Sequence, residues 1–376
     1  MRSVFSRRTN WKPAANRLAI ARQKRGRDIL DLTQSNPTAA GIEYPLEELA
    51  AAMSRAARAT YDPQPLGLLS ARHALAAELQ CGADDLALTA STSEAYAFLF
   101  KLLCNSQDEV LIGTPSYPLL EHLAALELIT LRTFPLEFHA RWEIDVAALR
   151  QAVTNRVRAV VLVNPNNPAG SWVSAREQDD VARLGIPIIS DEVFLDYPVE
   201  GSGTTLARQD VLSFTLGGLS KSAGLPHYKL AWIRVSGPEH ARRDAIGALE
   251  LIADSYLSVA TPVQAALPDL LRIAPRIRSA ISARIRSNLD ALRTAIRDAP
   301  GARVLPVEGG WSAVLQIPSV GSDEDLAVRL VEEHGVVVHP GYFFDLPGDR
   351  YLVLSLLTPE GTFAEGVRRI VGMIPA

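Results

Sequence analysis

Short apolar runs alternate with helical stretches between about residue 45 and residue 260 of the chain. The runs are rich in Val, Ile and Leu, and several contain no polar position, which is typical of strands buried on both faces of a sheet. Between them, apolar residues recur at helical spacing, as in 93–103 and 118–128. The predicted strands are 86–89, 109–112, 129–133, 159–163, 187–190, 211–214 and 230–235. This alternation predicts an α/β fold with a three-layer αβα unit around a mainly parallel seven-stranded sheet.

The pattern changes after Pro262, where a long Arg-rich amphipathic helix is expected over about 277–297. Apolar strands with a helix among them follow, which indicates a smaller α+β unit. These later strands are 311–317, 336–339 and 351–355. A chain of 376 residues also exceeds the length of about 250 to 300 residues at which single cores stop growing. The expected parts are an N-terminal segment that completes the small domain (1–44), a large domain (45–262) and a small C-terminal α+β domain (263–376).

Composition and charge narrow the classes of function. Hydrophobic residues make up 48% of the chain, charged residues 21%, and the net charge is −4, which gives no electrostatic support for binding nucleic acid or an anionic membrane. Cys81 and Cys104 lack the spacing of a disulfide framework or a zinc site, so we expect reduced cysteines and no metal. No apolar run is long enough to span a membrane. A cytoplasmic location is expected, with a transit peptide as the alternative, because the basic segment before Asp28 has no acidic residue.

Polar segments directly follow several predicted strands, and ligands of open α/β sheets bind at these carboxyl ends. The turn Ser91-Thr92-Ser93 opens a helix, so it is either a helix cap or an anion site. Residues 164–170 read Asn-Pro-Asn-Asn-Pro-Ala-Gly, a turn with three amide side chains. Asp191 is either a structural cap or the partner of a cationic ring nitrogen or a metal. The metal is the weaker choice, because no His or second acid stands at ligand spacing.

Lys221 follows the sixth predicted strand, in a turn of small residues. An isolated Ser-Lys pair is usually a solvated loop. A lysine whose pKa is lowered by desolvation, or by a nearby cation such as Lys229, can instead form a Schiff base. An anion-binding turn, an amide, an acid and such a lysine together fit pyridoxal 5′-phosphate, with its phosphate, phenolic oxygen, pyridinium nitrogen and aldehyde.

Through these segments the chain resembles the fold-type I pyridoxal-phosphate aminotransferases of class I and II, the group that includes the histidinol-phosphate and aromatic aminotransferase-like enzymes. The resemblance covers nearly the whole chain. The matching segments are Asn36-Pro37, Tyr61 with Gly67 and Arg72, Ser91 to Ala95, Pro115-Ser116-Tyr117-Pro118, residues 164–170, Asp191-Glu192-Val193 and Ser220-Lys221. It implies a pyridoxal-phosphate-dependent aminotransferase that moves an amino group between an amino acid, or a related amine, and an oxo acid by a ping-pong mechanism.

The resemblance also implies roles for single residues. Lys221 would form the Schiff base and carry the proton between substrate Cα and cofactor C4′. Asp191 would keep the pyridine nitrogen protonated, Asn167 would bond the phenolic oxygen, and Tyr117 would stack on the ring. The phosphate ligands would be Ser91, Thr92, Ser93, Ser220, Lys229 and, from the neighbouring subunit, Tyr61. A homodimer with shared active sites follows from this last assignment.

Three positions depart from the family pattern. Lys229 replaces an arginine, which keeps the charge but loses the bidentate contact with the phosphate. Phe194 replaces a tyrosine and removes one donor to the phenolic oxygen.

Val353 stands where the family has the arginine that binds the substrate carboxylate, and Arg350 lies three residues earlier, on the opposite face of the strand. Either another cation meets that carboxylate, or the substrate has none in that place. A lyase or decarboxylase of the same fold is therefore the alternative function, and a non-catalytic pyridoxal-phosphate-binding protein is the third.

Overall fold

A computed structural model describes residues 4–318, 321–348 and 350–374. The outermost ends of the predicted segments 1–44 and 263–376 lie outside these ranges. The strands are β1 (Leu30–Asp31), β2 (Leu86–Thr89), β3 (Glu109–Thr114), β4 (Thr130–Phe138), β5 (Trp142–Ile144), β6 (Val157–Val163), β7 (Ile188–Asp191), β8 (Ser213–Gly218), β9 (Ala231–Ser236), β10 (Arg303–Val304), β11 (Ser312–Gln316), β12 (Val336–Val337), β13 (His339–Pro340) and β14 (Tyr351–Ser355). The helices are α1 (Arg17–Arg25), α2 (Leu46–Ala56), α3 (Leu69–Leu79), α4 (Thr92–Leu103), α5 (Leu119–Leu126), α6 (Val146–Ala152), α7 (Ala175–Ala182), α8 (Leu219–Ser222), α9 (Glu239–Asp254), α10 (Thr261–Ile296), α11 (Asp323–His334) and α12 (Glu360–Val371).

The central sheet has eight strands in the order β2-β9-β8-β7-β6-β3-β4-β5. The pairs from β8 through β4 are parallel, whereas β9 runs antiparallel to both of its neighbours and β5 runs antiparallel to β4. All seven predicted strands are present. The predicted number is one too small, because β5 is a three-residue strand that returns from β4 through a tight turn with Ala140 at φ 68°. A strand of three residues is too short to show an alternation of apolar and polar positions in the sequence.

Helices cover both faces of this sheet, which confirms the predicted three-layer αβα architecture. In β3, Val110 and Ile112 pack against α4, α5 and α9, while Leu111 points the other way and packs against α6 and α7. Successive residues of a strand point to opposite faces, so an all-apolar strand is buried twice.

The C-terminal part of the chain forms a four-stranded sheet in the order β10-β11-β14-β13. Its neighbour is a two-stranded parallel sheet in which β1 pairs with β12, with Leu30 opposite Val336. Arg17 of α1 also pairs with Asp325 of α11 at 2.6 Å. The N-terminal segment therefore joins the C-terminal elements. The domain boundaries stay a prediction, and the one at 262/263 falls in the first turn of α10.

The long helix α10 spans 36 residues and begins well before the predicted start. Pro268 and Pro275 lie inside it, where each removes a backbone hydrogen bond. Burial of Leu267, Leu270 and Ile277 offsets this cost. Among the described residues, none of the helices is both long and apolar enough to cross a membrane.

Asn288 gives a test of how α10 is held to the C-terminal sheet. Its side chain is 1% exposed, and Nδ2 donates to the carbonyl oxygens of Leu356 at 2.8 Å and Thr358 at 2.7 Å. We expect Asn288→Ala to lower the free energy of unfolding by about 2 to 3 kcal/mol, because two buried carbonyls lose their donor. Chemical denaturation measures this. Asn155→Ala at an exposed position is the control and should change stability by less than about 0.5 kcal/mol; equal effects would contradict this role for Asn288.

Candidate active site

A cavity of about 760 Å³ is lined from one side by the carboxyl ends of central strands and from the other by β11, β13 and β14. This volume is typical of a small-molecule site. Every residue proposed for the site from sequence lines it except Tyr61. Those that line it are Ser91, Thr92, Ser93, Tyr117, Asn167, Asp191, Ser220, Lys221 and Lys229.

The three amide side chains that follow β6, those of Asn164, Asn166 and Asn167, have different roles. Asn164 and Asn166 are buried, and their Nδ2 atoms donate to the backbone oxygens of Thr204 at 2.9 Å and Pro115 at 3.1 Å. These two side chains hold the turn in shape. Asn167 instead faces the cavity, where its Oδ1 accepts a hydrogen bond from Ser312 Oγ at 3.3 Å. This bond orients the amide and leaves Nδ2 as a donor for a ligand oxygen.

Asp191 ends β7 and lines the cavity. Val193 N donates to Oδ1 at 3.2 Å, and the Tyr96 hydroxyl donates to Oδ2 at 3.0 Å. Burial raises the pKa of Asp191, while both hydrogen bonds and the charge of Lys221 act in the opposite direction. Tyr96 was missed from the sequence, because it lies within the apolar helical pattern of α4 and reads as a core residue. Its hydroxyl was the one signal that could have distinguished it.

Glu192, the second acid of the Asp-Glu-Val motif, has a structural role. Glu192 accepts hydrogen bonds from Ser190 Oγ at 2.9 Å, Thr205 Oγ1 at 2.7 Å and Leu206 N at 2.7 Å. Burial raises the pKa of Glu192 to about 7. It does not line the main cavity. Its carboxylate therefore secures the loop after β7, and only Asp191 is available to a ligand there.

Lys221 lies in the short helix α8, directly after β8. Its Nζ donates to Ser35 O at 3.4 Å and lies 5.0 Å from the ring centroid of Trp311 and 5.8 Å from that of Phe194. Burial lowers the pKa of Lys221 to about 8, against the charge of Asp191, which raises it. Lys229 was a candidate cation for this shift, and that idea was wrong: desolvation among aromatic rings is the cause.

A candidate anion-binding corner lies at the start of α4. Ser91 is the N-cap, and its hydroxyl oxygen accepts from Glu94 N at 3.2 Å. The N–H groups of Thr92 and Ser93, at the first two helical positions, have no acceptor inside the helix. Both residues line the cavity together with Ser220 and Lys229. The turn is thus a helix cap through Ser91 and a candidate anion site through its next two residues.

Tyr61 lies outside the cavity of its own chain. Its side chain is 68% exposed, and it borders a separate depression with Gln64 and Leu257. The phosphate role that the family resemblance implies for Tyr61 requires a second subunit, and it stays a prediction.

Among the described residues, the part of the lining that comes from β11, β13 and β14 has no Asp, Glu, Lys or Arg side chain. Val353 lines the cavity and is 2% exposed, whereas Arg350 is exposed and has no part in the lining. His339 also lines it, and burial lowers its pKa. Among the described residues that line the cavity, the lysines 221 and 229 are the only ones with an ordinarily cationic side chain. Sequence reasoning missed Thr33, Ser35, Ser312, His339 and Ser355, which meet here only through folding.

Within the described residues, no group of three or more His, Cys, Asp or Glu side chains is arranged to hold a metal ion. At the carboxyl ends of the central strands, the groups that face the cavity include the Lys221 amine, the Asp191 carboxylate, the Asn167 amide and the start of α4.

Comparison with known proteins gives a family and related folds. Residues 27–370 match the family model for aminotransferase class I and II. The chain is 28% identical to tyrosine aminotransferase of Bos taurus over 81% of this chain and 72% of that protein. It is 28% identical to alanine aminotransferase of Mycobacterium bovis over 92% of this chain and 85% of that protein. The solved structure of alanine aminotransferase from Pyrococcus furiosus superposes with a TM-score of 0.86 at 21% identity, over 94% of this chain and 93% of that one, and shows the shared fold.

The lowered pKa of Lys221 can be tested chemically. Reductive methylation of the cofactor-free protein should modify Lys221 at a rate that rises with pH around a midpoint of about 8. Lys24, which is exposed on α1, is the internal control for access of the reagent to the protein. Asp191→Asn should lower the Lys221 midpoint further, because the carboxylate charge raises this pKa. Peptide mapping gives the rates, and a Lys221 midpoint at the ordinary lysine value of about 10.4 would refute desolvation.

Proposed function

The chain belongs to the aminotransferase class I and II family, and we propose that it is a pyridoxal 5′-phosphate-dependent aminotransferase whose reactive amine is Lys221. The family, fold type and cofactor predicted from the sequence are thereby confirmed. One observation carries the residue assignment: an amine of lowered pKa and a desolvated carboxylate face the same cavity as a helix N-terminus.

The groups that line the cavity fit this cofactor. Asp191 is an acceptor in a desolvated setting, as a pyridinium N–H requires, and Asn167 Nδ2 is a donor for the phenolic oxygen. Thr92, Ser93 and Lys229 supply N–H groups and a positive charge for the phosphate. Tyr117 lines the same cavity and is the proposed stacking partner. Ser91 and Ser220 complete the phosphate end.

When bound, the cofactor supplies an aldehyde for the substrate amine and a ring that accepts electrons from the Cα–H bond. Lys221 Nζ would take the proton from the substrate Cα and deliver it to C4′ of the cofactor. Its lowered pKa supports this step, because an amine that titrates near neutral pH can both accept and donate a proton. Asp191 holds the proton on the ring nitrogen. The rings of Trp311 and Phe194 beside Nζ exclude water from the reacting atoms.

We propose an amino acid or a related amine as donor and an oxo acid as acceptor. The named relatives make tyrosine and alanine the first donors to test. Val353 favours a second candidate, a lyase or decarboxylase of the same fold, because the cavity lacks an arginine for the substrate carboxylate among its described lining residues. A cytoplasmic location is part of the proposal, and the two free thiols Cys81 and Cys104 support it.

A homodimer with shared sites is also part of the proposal. The exposed ring of Tyr61 supports it, because Tyr61 and the exposed Leu257 border the same depression and offer an apolar contact surface. In this arrangement the hydroxyl of Tyr61 reaches the phosphate end of the partner's cavity.

Lys221→Ala tests the reaction. The wild-type protein saturated with cofactor should show the visible absorbance of lysine-bound cofactor, and Lys221→Ala should lose it, while Lys24→Ala should keep it. With tyrosine or alanine and no oxo acid, the wild type should release oxo acid only in an amount stoichiometric with protein, and turnover should start when an oxo acid is added. Steady release of phenol, pyruvate and ammonia from tyrosine without added oxo acid would instead establish the lyase and refute the transaminase.

Tyr61→Phe tests the shared site. Loss of one hydrogen bond to an anion should weaken cofactor binding about 5- to 10-fold in the dimer. Equilibrium dialysis measures the dissociation constant, and sedimentation gives the oligomeric state. Tyr342→Phe, at another exposed tyrosine outside the cavity lining, should leave cofactor binding unchanged. A monomer that binds cofactor at full affinity would contradict the shared site.

A further inference from the structure

Tyr96 stands at an unusual place for a polar group. It lies in the second turn of α4, is 3% exposed, and lines the cavity. Its hydroxyl donates to Asp191 Oδ2 at 3.0 Å, a side-chain contact that joins α4 to the end of β7. Its ring packs against Phe100, one helical turn further along, with the ring centroids 5.8 Å apart. The helix therefore fixes where the hydroxyl lies.

The proton in this contact belongs to Tyr96. Burial and the adjacent charge of Asp191 raise the pKa of the Tyr96 phenol far above its usual range, so the hydroxyl can only donate to the carboxylate. Val193 N donates to the other oxygen, Oδ1, at 3.2 Å. One donor on each oxygen fixes the plane of the carboxylate and leaves further lone pairs for the N–H of a ligand.

The same helix also forms the anion-binding corner. Thr92 and Tyr96 are four residues apart, so they share one face of α4 with a rise of about 6 Å between them. The phosphate end and the acid end of the cavity are therefore set by one rigid element. The hydrogen bond between Asp191 and α4 is made by one side chain of the helix, that of Tyr96.

We propose that Tyr96 is a positioning residue that keeps the Asp191 carboxylate ionised and orients it toward the ring nitrogen of the cofactor. Helix α4 then fixes the distance between the phosphate site and the ring-nitrogen site. The proposal rests on the proposed function. Tyr96 acts through Asp191 and forms no bond to the cofactor itself.

The expected pH effect follows from the groups that act on Asp191, which are Tyr96 from α4 and Lys221 from α8. Both favour the ionised carboxylate, whereas burial opposes it. Loss of the Tyr96 hydroxyl should raise the pKa of Asp191. The loss of cofactor affinity on acidification should then begin at a higher pH than in the wild type.

The test compares Tyr96→Phe with Tyr351→Phe in the full chain. Tyr351 is a buried tyrosine that bonds Gln316 and does not line the cavity, so it controls for loss of a hydroxyl. Equilibrium dialysis against pyridoxal 5′-phosphate between about pH 5 and pH 8 gives the dissociation constants. We expect Tyr96→Phe to bind about 10- to 100-fold more weakly, with its acid limb moved to higher pH. Tyr351→Phe should match the wild type, and thermal melting verifies that both variants are folded.

A double-mutant cycle with Asp191→Asn separates positioning from packing. Because an amide cannot be ionised, Tyr96→Phe should add little to the loss of affinity already caused by Asp191→Asn. Full additivity, or an unchanged affinity and pH profile in Tyr96→Phe, would overturn the proposal. These outcomes differ from failure of the proposed function, which would show as absent lysine-bound cofactor in the wild type or as unchanged absorbance in Lys221→Ala.

Discussion

The in-register parallel pairing of β6, β7 and β8 is the constraint on which the site depends. Val163 lies opposite Asp191, and Asp191 lies opposite Leu216. These three strands end at the same edge of the sheet. The amide turn after β6, Asp191 at the end of β7 and the helix α8 after β8 therefore lie side by side along that edge. A slip of one residue in β7 would turn Asp191 toward the opposite face of the sheet. The apolar residues that cover both faces hold this register and therefore hold the chemistry in place.

Burial gives the two charged groups of the site their chemical properties. The same desolvation lowers the pKa of Lys221 and raises that of Asp191, and each group partly restores the charge of the other. Desolvation dominates at Asp191, and the hydrogen bonds from Val193 N and the Tyr96 hydroxyl limit the rise in its pKa. At Lys221 the surroundings are the rings of Trp311 and Phe194, which provide no competing charge. Burial thus favours the uncharged forms of both groups, whereas their mutual attraction and the two hydrogen bonds to Asp191 favour the charged forms.

The sequence predicted most of the fold, because strands buried on both faces leave an unbroken apolar run. It missed β5, which is too short to show a pattern, and it placed the start of α10 too late, since two prolines interrupt the helical pattern there. Local propensity does not include the buried contacts along α10 that hold these prolines in a helix.

The site was predictable where a motif lies on one loop and unpredictable where folding joins distant segments. The motif of three amides could be seen, but only contacts with Thr204, Pro115 and Ser312 show that Asn167 alone faces the cavity. Tyr96 lies within an apolar helical pattern, and its role depends on a residue 95 positions away. The phosphate role proposed for Tyr61 requires a second chain, which one sequence does not describe.

The central claim is that Lys221 is the amine that binds the cofactor. Borohydride reduction of the protein saturated with pyridoxal 5′-phosphate, followed by proteolysis and mass spectrometry, tests it directly. The account predicts one reduced cofactor adduct, on the peptide that carries Lys221, and none on that carrying Lys24. An adduct on Lys229 in place of Lys221, or no site-specific adduct at all, would contradict it.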